Sequence, residues 1–242
     1  MNKIILIFVL MSIISIFFIS YSLYESAISK HFCELYHNKS KNPYADLIRK
    51  LNRYDLCGKM EDNVFDQYIH WNGEIIAGVK NNILVFKGTD SLNDIEMDIS
   101  PTISQDKRGM VYTGMYDIYK AIKPQLDQLY CDKVTGWSLG AVLSILYSYD
   151  HSQNINEVIV FGQPPVFSKS FVDDYNTLLG DKTISYIHRF DLIAQPLDVF
   201  QPFIKPEYLN AYRAGKMHYI KTGDLFNVFK HGLGYYHMSY LE

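Results

Sequence analysis

In Val134-Thr135-Gly136-Trp137-Ser138-Leu139-Gly140-Ala141, a serine stands two residues from a glycine on either side. A serine hydroxyl is a poor nucleophile at neutral pH. Its use requires a histidine to take the proton and a carboxylate to orient that histidine and stabilise its charge. The Gly-x-Ser-x-Gly string is short enough to arise by chance, so its surroundings decide its meaning. Lys133 to Thr135 reads as a strand and Leu139 to Tyr149 as a helix. That is the strand, tight turn and helix of a nucleophile elbow: the flanking glycines let two backbones approach, and the helix amino end faces a developing oxyanion.

An elbow of this kind expects its partners in the order serine, acid, histidine, with the acid in a loop just after a later strand. Ile184 to His188 followed by Arg189-Phe190-Asp191 offers Asp191, and Asp198 in the same Pro-containing loop is the alternative. Of the eight histidines, His218, His231 and His237 follow this acid. His237, in Gly234-Tyr235-Tyr236-His237-Met238-Ser239-Tyr240 close to the C-terminus, fits best, with His231 as its rival. His188 reads as a hydrogen-bonded strand residue.

The elements that must position these groups follow from hydrophobic periodicity. Residues 24–63 hold one amphipathic helix carrying Leu47, Ile48, Leu51 and Leu56, to which no chemistry is assigned. Glu74 to Val79 and Ile83 to Phe86 read as strands of a hairpin turning at Lys80-Asn81-Asn82. Gly88 to Tyr112 reads as loop. Met115, Ile118, Tyr119, Ile122, Leu126 and Leu129 recur at helical spacing, with Pro124 expected to kink or divide that helix. Beyond it the chain alternates: Lys133 to Thr135 strand, Leu139 to Tyr149 helix, Val158 to Phe161 strand, Ser168 to Leu179 helix, Thr183 to His188 strand. This rhythm predicts an α/β fold in which a mostly parallel central sheet carries helices on both faces, with function in the loops at the carboxyl ends of the strands.

With 48% hydrophobic and 20% charged residues over 242 positions, the composition is that of a folded domain rather than a disordered chain. Past the first residues one domain is expected, spanning 24–242. A net charge of −3, with no clustered Lys and Arg, argues against nucleic acid as a partner. The cysteines are scattered and the Asp residues lack the spacing of a calcium loop, so no metal is called for.

Residues 1–22 differ in kind. Met1-Asn2-Lys3 supplies a positive charge, and Ile4 to Ile19 contains none. The segment reads as a signal peptide, with a small-x-small cleavage site at Ser20 and Ser22, or as an uncleaved signal-anchor spanning a membrane. Either way Lys3 favours a cytosolic N-terminus, which puts the following domain in the lumen or outside the cell, secreted or membrane-anchored. Asn38-Lys39-Ser40 is a glycosylation acceptor in that setting if the cell is eukaryotic, and Cys33 and Cys57 flank a segment that a disulfide could close. Cys131 is then left over, as a small buried hydrophobe on the strand leading to Ser138.

Several ordered segments carry a more specific resemblance. Leu84-Val85-Phe86-Lys87-Gly88-Thr89-Asp90-Ser91, Val111-Tyr112-Thr113-Gly114-Met115, Val134 to Gly140, Val158-Ile159-Val160-Phe161-Gly162-Gln163-Pro164, Asp191-Leu192-Ile193 and His237-Met238-Ser239-Tyr240 resemble, in order, conserved stretches of the class 3 (fungal-type) lipases. The likeness runs from Ile83 to the C-terminus. It implies the α/β-hydrolase fold, a triad of Ser138, Asp191 and His237, and an oxyanion held by Thr89 and the backbone N–H of Leu139. It also implies a lid over Ser91 to Ile99, although Ser91 to Asp98 has only three apolar side chains and no aromatic one. The elbow departs from the family in Trp137, where a His is usual, and in Ala141, where a second Gly is usual.

Three functions are weighed. The leading one is a carboxylester hydrolase acting on lipid esters, acylglycerols or phospholipids, at a membrane or lipid interface, with no cofactor. The second is an esterase or acyltransferase for short or soluble esters. The third is a lipase-like fold kept as a membrane-tethered interaction protein without turnover. Preference among acyl chain lengths separates the first two, and loss of triad chemistry would mark the third.

Overall fold

A computed structural model describes residues 42–57, 64–88, 103–106, 109–188 and 211–220. Helix α1 (Pro43–Cys57) begins where its sequence says it should. The Asn42 Oδ1 accepts the N–H groups of Tyr44 and Ala45 at 3.0 and 3.3 Å, and Pro43 occupies the first helical position, where its missing N–H costs nothing. Strands β1 (Gln67–Trp71), β2 (Glu74–Lys80) and β3 (Ile83–Phe86) follow. The β2–β3 hairpin turns on Asn81 and Asn82 at φ of 49° and 62°, the left-handed pair that a two-residue hairpin requires.

The stretch expected as loop contains a small antiparallel ribbon, β4 (Ile103–Asp106) with β5 (Gly109–Tyr112). Helix α2 (Thr113–Leu126) comes next. Pro124 does not divide it. The proline falls in the last turn, where it forfeits one bond to Lys120 without interrupting any helix beyond. The remaining elements are β6 (Lys133–Trp137), α3 (Leu139–Asp150), β7 (Glu157–Phe161), α4 (Lys169–Leu179), β8 (Thr183–His188) and β9 (Lys216–Ile220). The Ser168 hydroxyl caps α4 by accepting the Phe171 N–H at 3.2 Å.

Seven strands form one sheet in the order β1-β2-β3-β6-β7-β8-β9, antiparallel at β1-β2-β3 and parallel from β3 onward. Side chains alternate between two cores, as the two-residue period of a strand demands. Leu84, Phe86, Val134, Val158 and Val160 pack with α2, α3 and α4 on one face. Val85, Trp137, Ile159 and Phe161 pack with Ala45, Ile48 and Leu51 of α1 on the other. The mostly parallel sheet with helices on both faces is therefore present, with α1 covering one face. Helix α3 lies so deep that every residue from Leu139 to Ser148 is buried. Burial of one such Leu, Ile or Val stabilises by about 1.5–3 kcal/mol, so this helix anchors whatever its amino end carries.

Candidate active site

Ser138 sits at the carboxyl end of β6, one of the interior strands. Its N–H donates to Phe161 O at 3.0 Å, which continues the ladder with β7 by one residue. Its carbonyl then accepts from Ala141 and Val142 at 3.0 and 3.3 Å and so opens α3. To serve strand and helix at once the residue takes φ 54° and ψ −117°, a conformation that L side chains rarely adopt. Such strain costs about 1–3 kcal/mol and persists only where the surroundings enforce it. The hydroxyl makes no capping bond to the helix, and Ser138 is half-buried among buried neighbours. The side chain is thus presented at the turn rather than spent on it.

The two flanking glycines are required by contact. A Cβ on Gly136 would lie 2.2 Å from the carbonyl oxygen of Gly140, and one on Gly140 would lie 2.5 Å from Lys87 O and 2.6 Å from Phe86 O. The elbow is thereby wedged against the end of β3, the strand that leads to Thr89. Ser144 Oγ donates to Gly140 O at 2.7 Å, and Thr135 Oγ1 donates to Ile159 O at 2.6 Å, so the buried hydroxyls around the turn are satisfied. Trp137, the departure from the family pattern, lies buried in the core beneath α1, and its indole faces Gly88: a Cβ there would come within 2.3 Å of the ring. Ala141 is fully buried, so the α3 packing accommodates its methyl.

Leu139 is the first residue of α3, and its N–H is one of the four that no helix can satisfy internally. The helix amino end at this point favours negative charge. The turn after β7 is fastened to the neighbouring strand: Gly162 N–H donates to Tyr186 O at 2.9 Å, and Ser185 Oγ donates to Gln163 Oε1 at 3.2 Å. Arg213 Nε donates to Gln163 O at 2.8 Å, tying in the approach to β9. Strand β8 runs to His188, three residues before Asp191 in sequence. Thr89, Asp191, Asp198, His231, His237 and the lid segment lie outside the described residues, as do residues 1–41 with Cys33 and Asn38. Of the residues expected to form the site, Ser138 and Leu139 are described, and they are brought together at the elbow.

Cys131 is poorly suited to act as a nucleophile. It is buried at the opposite end of β6, and burial, with the nearby charge of Asp132, pushes its thiol up to about 11. Among the described residues no group of His, Cys, Asp or Glu could hold a metal ion, and no helix is long and apolar enough to cross a membrane.

A mostly parallel sheet sandwiched between helices, carrying a strained serine between two backbone-packed glycines on an interior strand, defines an α/β-hydrolase fold. Within that class residues 83–198, just under half of the chain, match the class 3 lipase family. Among solved structures, the Rhizomucor miehei lipase propeptide complex is similar at 19% identity and a TM-score of 0.50, over 74% of this chain and 67% of that one. A deletion variant of the same complex gives 16% identity and a TM-score of 0.52, over 74% and 65%. Lipase II from Rhizopus niveus is 21% identical over 59% of this chain with a TM-score of 0.44, and the chain spans only 58% of its length. The two Rhizomucor miehei likenesses bear on the fold. No curated protein matches the chain.

The site holds two features that sequence reasoning did not assign. One is the indole of Trp137 against Gly88, and the other is Asn52 of α1, whose buried Oδ1 accepts the Gly88 N–H at 3.4 Å. Asn52 belongs to a helix upstream of the family-matched segment and carried no local signal.

Proposed function

We propose that this protein is a serine carboxylester hydrolase acting on lipid esters, acylglycerols or phospholipids. The observation that carries the reading is the conformation of Ser138, which is strained, uncapped and enforced by backbone contacts at both flanking glycines. In this reading Ser138 Oγ attacks the ester carbonyl while His237 takes its proton and Asp191 orients and stabilises the imidazolium. The carbonyl oxygen becomes an oxyanion held by the Leu139 N–H and by Thr89. Collapse expels the alcohol, which takes the proton from His237, and leaves an acyl-serine. Water then attacks the acyl carbon, giving its proton to His237, and the acid departs with Ser138 Oγ reprotonated. The chemistry balances without metal or organic cofactor. Residues 1–22 would deliver this domain to the lumen or the cell exterior, secreted or tethered.

The sparse lid sequence favours a second reading, an esterase for short or soluble esters. A p-nitrophenyl ester series from acetate to palmitate, with and without a lipid interface, separates the two. Hydrolysis by the intact protein that rises with chain length and at the interface supports the lipid reading, and a strict preference for acetate without interfacial gain overturns it. In the same assay Asp191→Asn and His237→Ala should each lower kcat by about a thousandfold or more, with Asp198→Asn and His231→Ala within a few fold of wild type. The reverse pattern would reassign the acid or the base.

A further inference from the structure

We infer that Asn52 is a positioning residue for oxyanion stabilisation, acting through the end of β3; this rests on the hydrolase reading above. Strand β3 ends next to the elbow and leads directly to Thr89, so the path of Lys87 and Gly88 sets where the second oxyanion donor begins. Three contacts hold that path. Lys87 N–H donates to Ile76 O at 2.9 Å, which keeps Lys87 in line with β2. The carbonyls of Phe86 and Lys87 abut Gly140, which sets the spacing between β3 and the start of α3. Gly88 lies flush on the Trp137 indole, and its N–H is taken by Asn52 Oδ1 at 3.4 Å.

The last contact differs from the others in kind. The first is a backbone pairing that almost any sequence keeps once the sheet forms, and the second is secured by the glycine at 140. The Gly88 N–H is buried and lies beyond the end of the strand, and Asn52 supplies an acceptor for it. Asn52 is itself 1% exposed, in a helix whose neighbouring Leu51 and Ile48 lock it onto the sheet. A buried amide held in this way is a costly arrangement unless its bonds are made, and replacing it with an apolar side chain strands the Gly88 N–H. That N–H would then be satisfied by a shift of the Gly88 backbone, which carries Thr89 with it. Displacements of about 1 Å at a reacting centre cost about a hundredfold in rate, even when their origin lies away from the chemistry. Asn52 touches no reacting atom, so its effect is confined to how well the oxyanion is met.

The test uses the full-length protein with p-nitrophenyl butyrate and, as a tetrahedral mimic that places an anionic oxygen at the oxyanion position, butylboronic acid. Asn52→Leu removes the acceptor at similar volume, and Asn52→Ala serves in its place if the leucine variant does not accumulate. Asn52→Asp keeps an oxygen acceptor. Leu179→Ala removes buried volume from α4, in the core on the other face of the sheet, and serves as a control for lost stability alone. The expected result is a fall in kcat of about 10- to 100-fold for Asn52→Leu, with KM within about twofold and the boronate Ki raised in proportion to the loss of kcat. Asn52→Asp should stay within a few fold of wild type in both, and Leu179→Ala should lower Tm while leaving kcat and the boronate Ki in place. Wild-type kcat in Asn52→Leu, or an equal kcat loss in Leu179→Ala, would overturn the inference, as would an Asn52→Asp as impaired as the leucine variant. A wild-type chain that neither turns over the ester nor binds the boronate would overturn the hydrolase reading itself, a result distinct from any of these.

Discussion

Ser138 and its two glycines form a single steric unit. The serine adopts a conformation that costs free energy by itself, and Gly136 and Gly140 let strand, helix and the end of β3 close around it. The atoms that a new methyl would meet are backbone, which cannot rotate away. Gly140→Ala and Gly136→Ala should therefore destabilise by about 1–3 kcal/mol or more, as overpacking does, and should lower Tm by several degrees together with activity. Gly180→Ala supplies the contrast. A Cβ there meets only the Asn176 side chain at 3.2 Å, and the residue already has helical angles, so its Tm should stay near or slightly above that of wild type. Equal losses at all three positions, in thermal unfolding followed by circular dichroism, would contradict the steric account of the elbow. Ser138 was legible in sequence because this constraint is local: strand, turn glycines and helix adjoin it in the chain. Asn52 was not, because its contact with Gly88 spans 36 residues and leaves no periodic trace.

At the scale of elements, α1 is the piece that joins sequence outside the family-matched segment to the site. Its first turn is held by charge. Burial alone would raise the Asp46 carboxyl, but hydrogen bonds and charge from Arg49 and Lys50 outweigh it and hold the group below its ordinary value. A carboxylate depressed in the folded state contributes stability above its unfolded pKa of about 3.9, and that contribution is lost as the pH falls through the folded value. Asp46→Asn should thus lower Tm at pH 7, and the gap to wild type should begin to narrow below about pH 4. A gap as wide at pH 3 as at pH 7 would mean that the contribution is not ionic. The elements differ in how plainly the sequence announces them. The β2–β3 hairpin was visible because Asn81-Asn82 lies between two apolar runs. Strand β1 buries only Ile69 at the sheet edge and so lacks a run, although Asn72-Gly73, with φ of 51° and 85°, marks its turn into β2. Strand β9 has no buried residue, and it joins the sheet through backbone pairing with β8, which no side-chain pattern reports. Ribbon β4–β5 is similarly a pairing of two short segments within a stretch that reads as loop.

For the molecule as a whole, the two cores divide the work. The core beneath α2, α3 and α4 fixes the helix that follows Ser138, and the core beneath α1 holds Trp137 and the exit of β3. The elbow lies where the two meet across the sheet, at the carboxyl ends of the strands, where a parallel α/β sheet leaves its loops free for chemistry. The α/β architecture followed from the strand and helix rhythm because the crossovers from β6 to β7 and from β7 to β8 each write an apolar strand and a helix into contiguous sequence. The complete triad depends on side chains in separate loops, so the sequence order of Ser138, Asp191 and His237 states an expectation that chemistry must test. The most direct measurement is reaction of the intact, folded protein with a fluorophosphonate, followed by mass spectrometry of its peptides. The account predicts one stoichiometric adduct on Ser138, absent from Ser138→Ala and from heat-denatured protein. No adduct on the folded wild type, or an adduct that persists in Ser138→Ala, would contradict it.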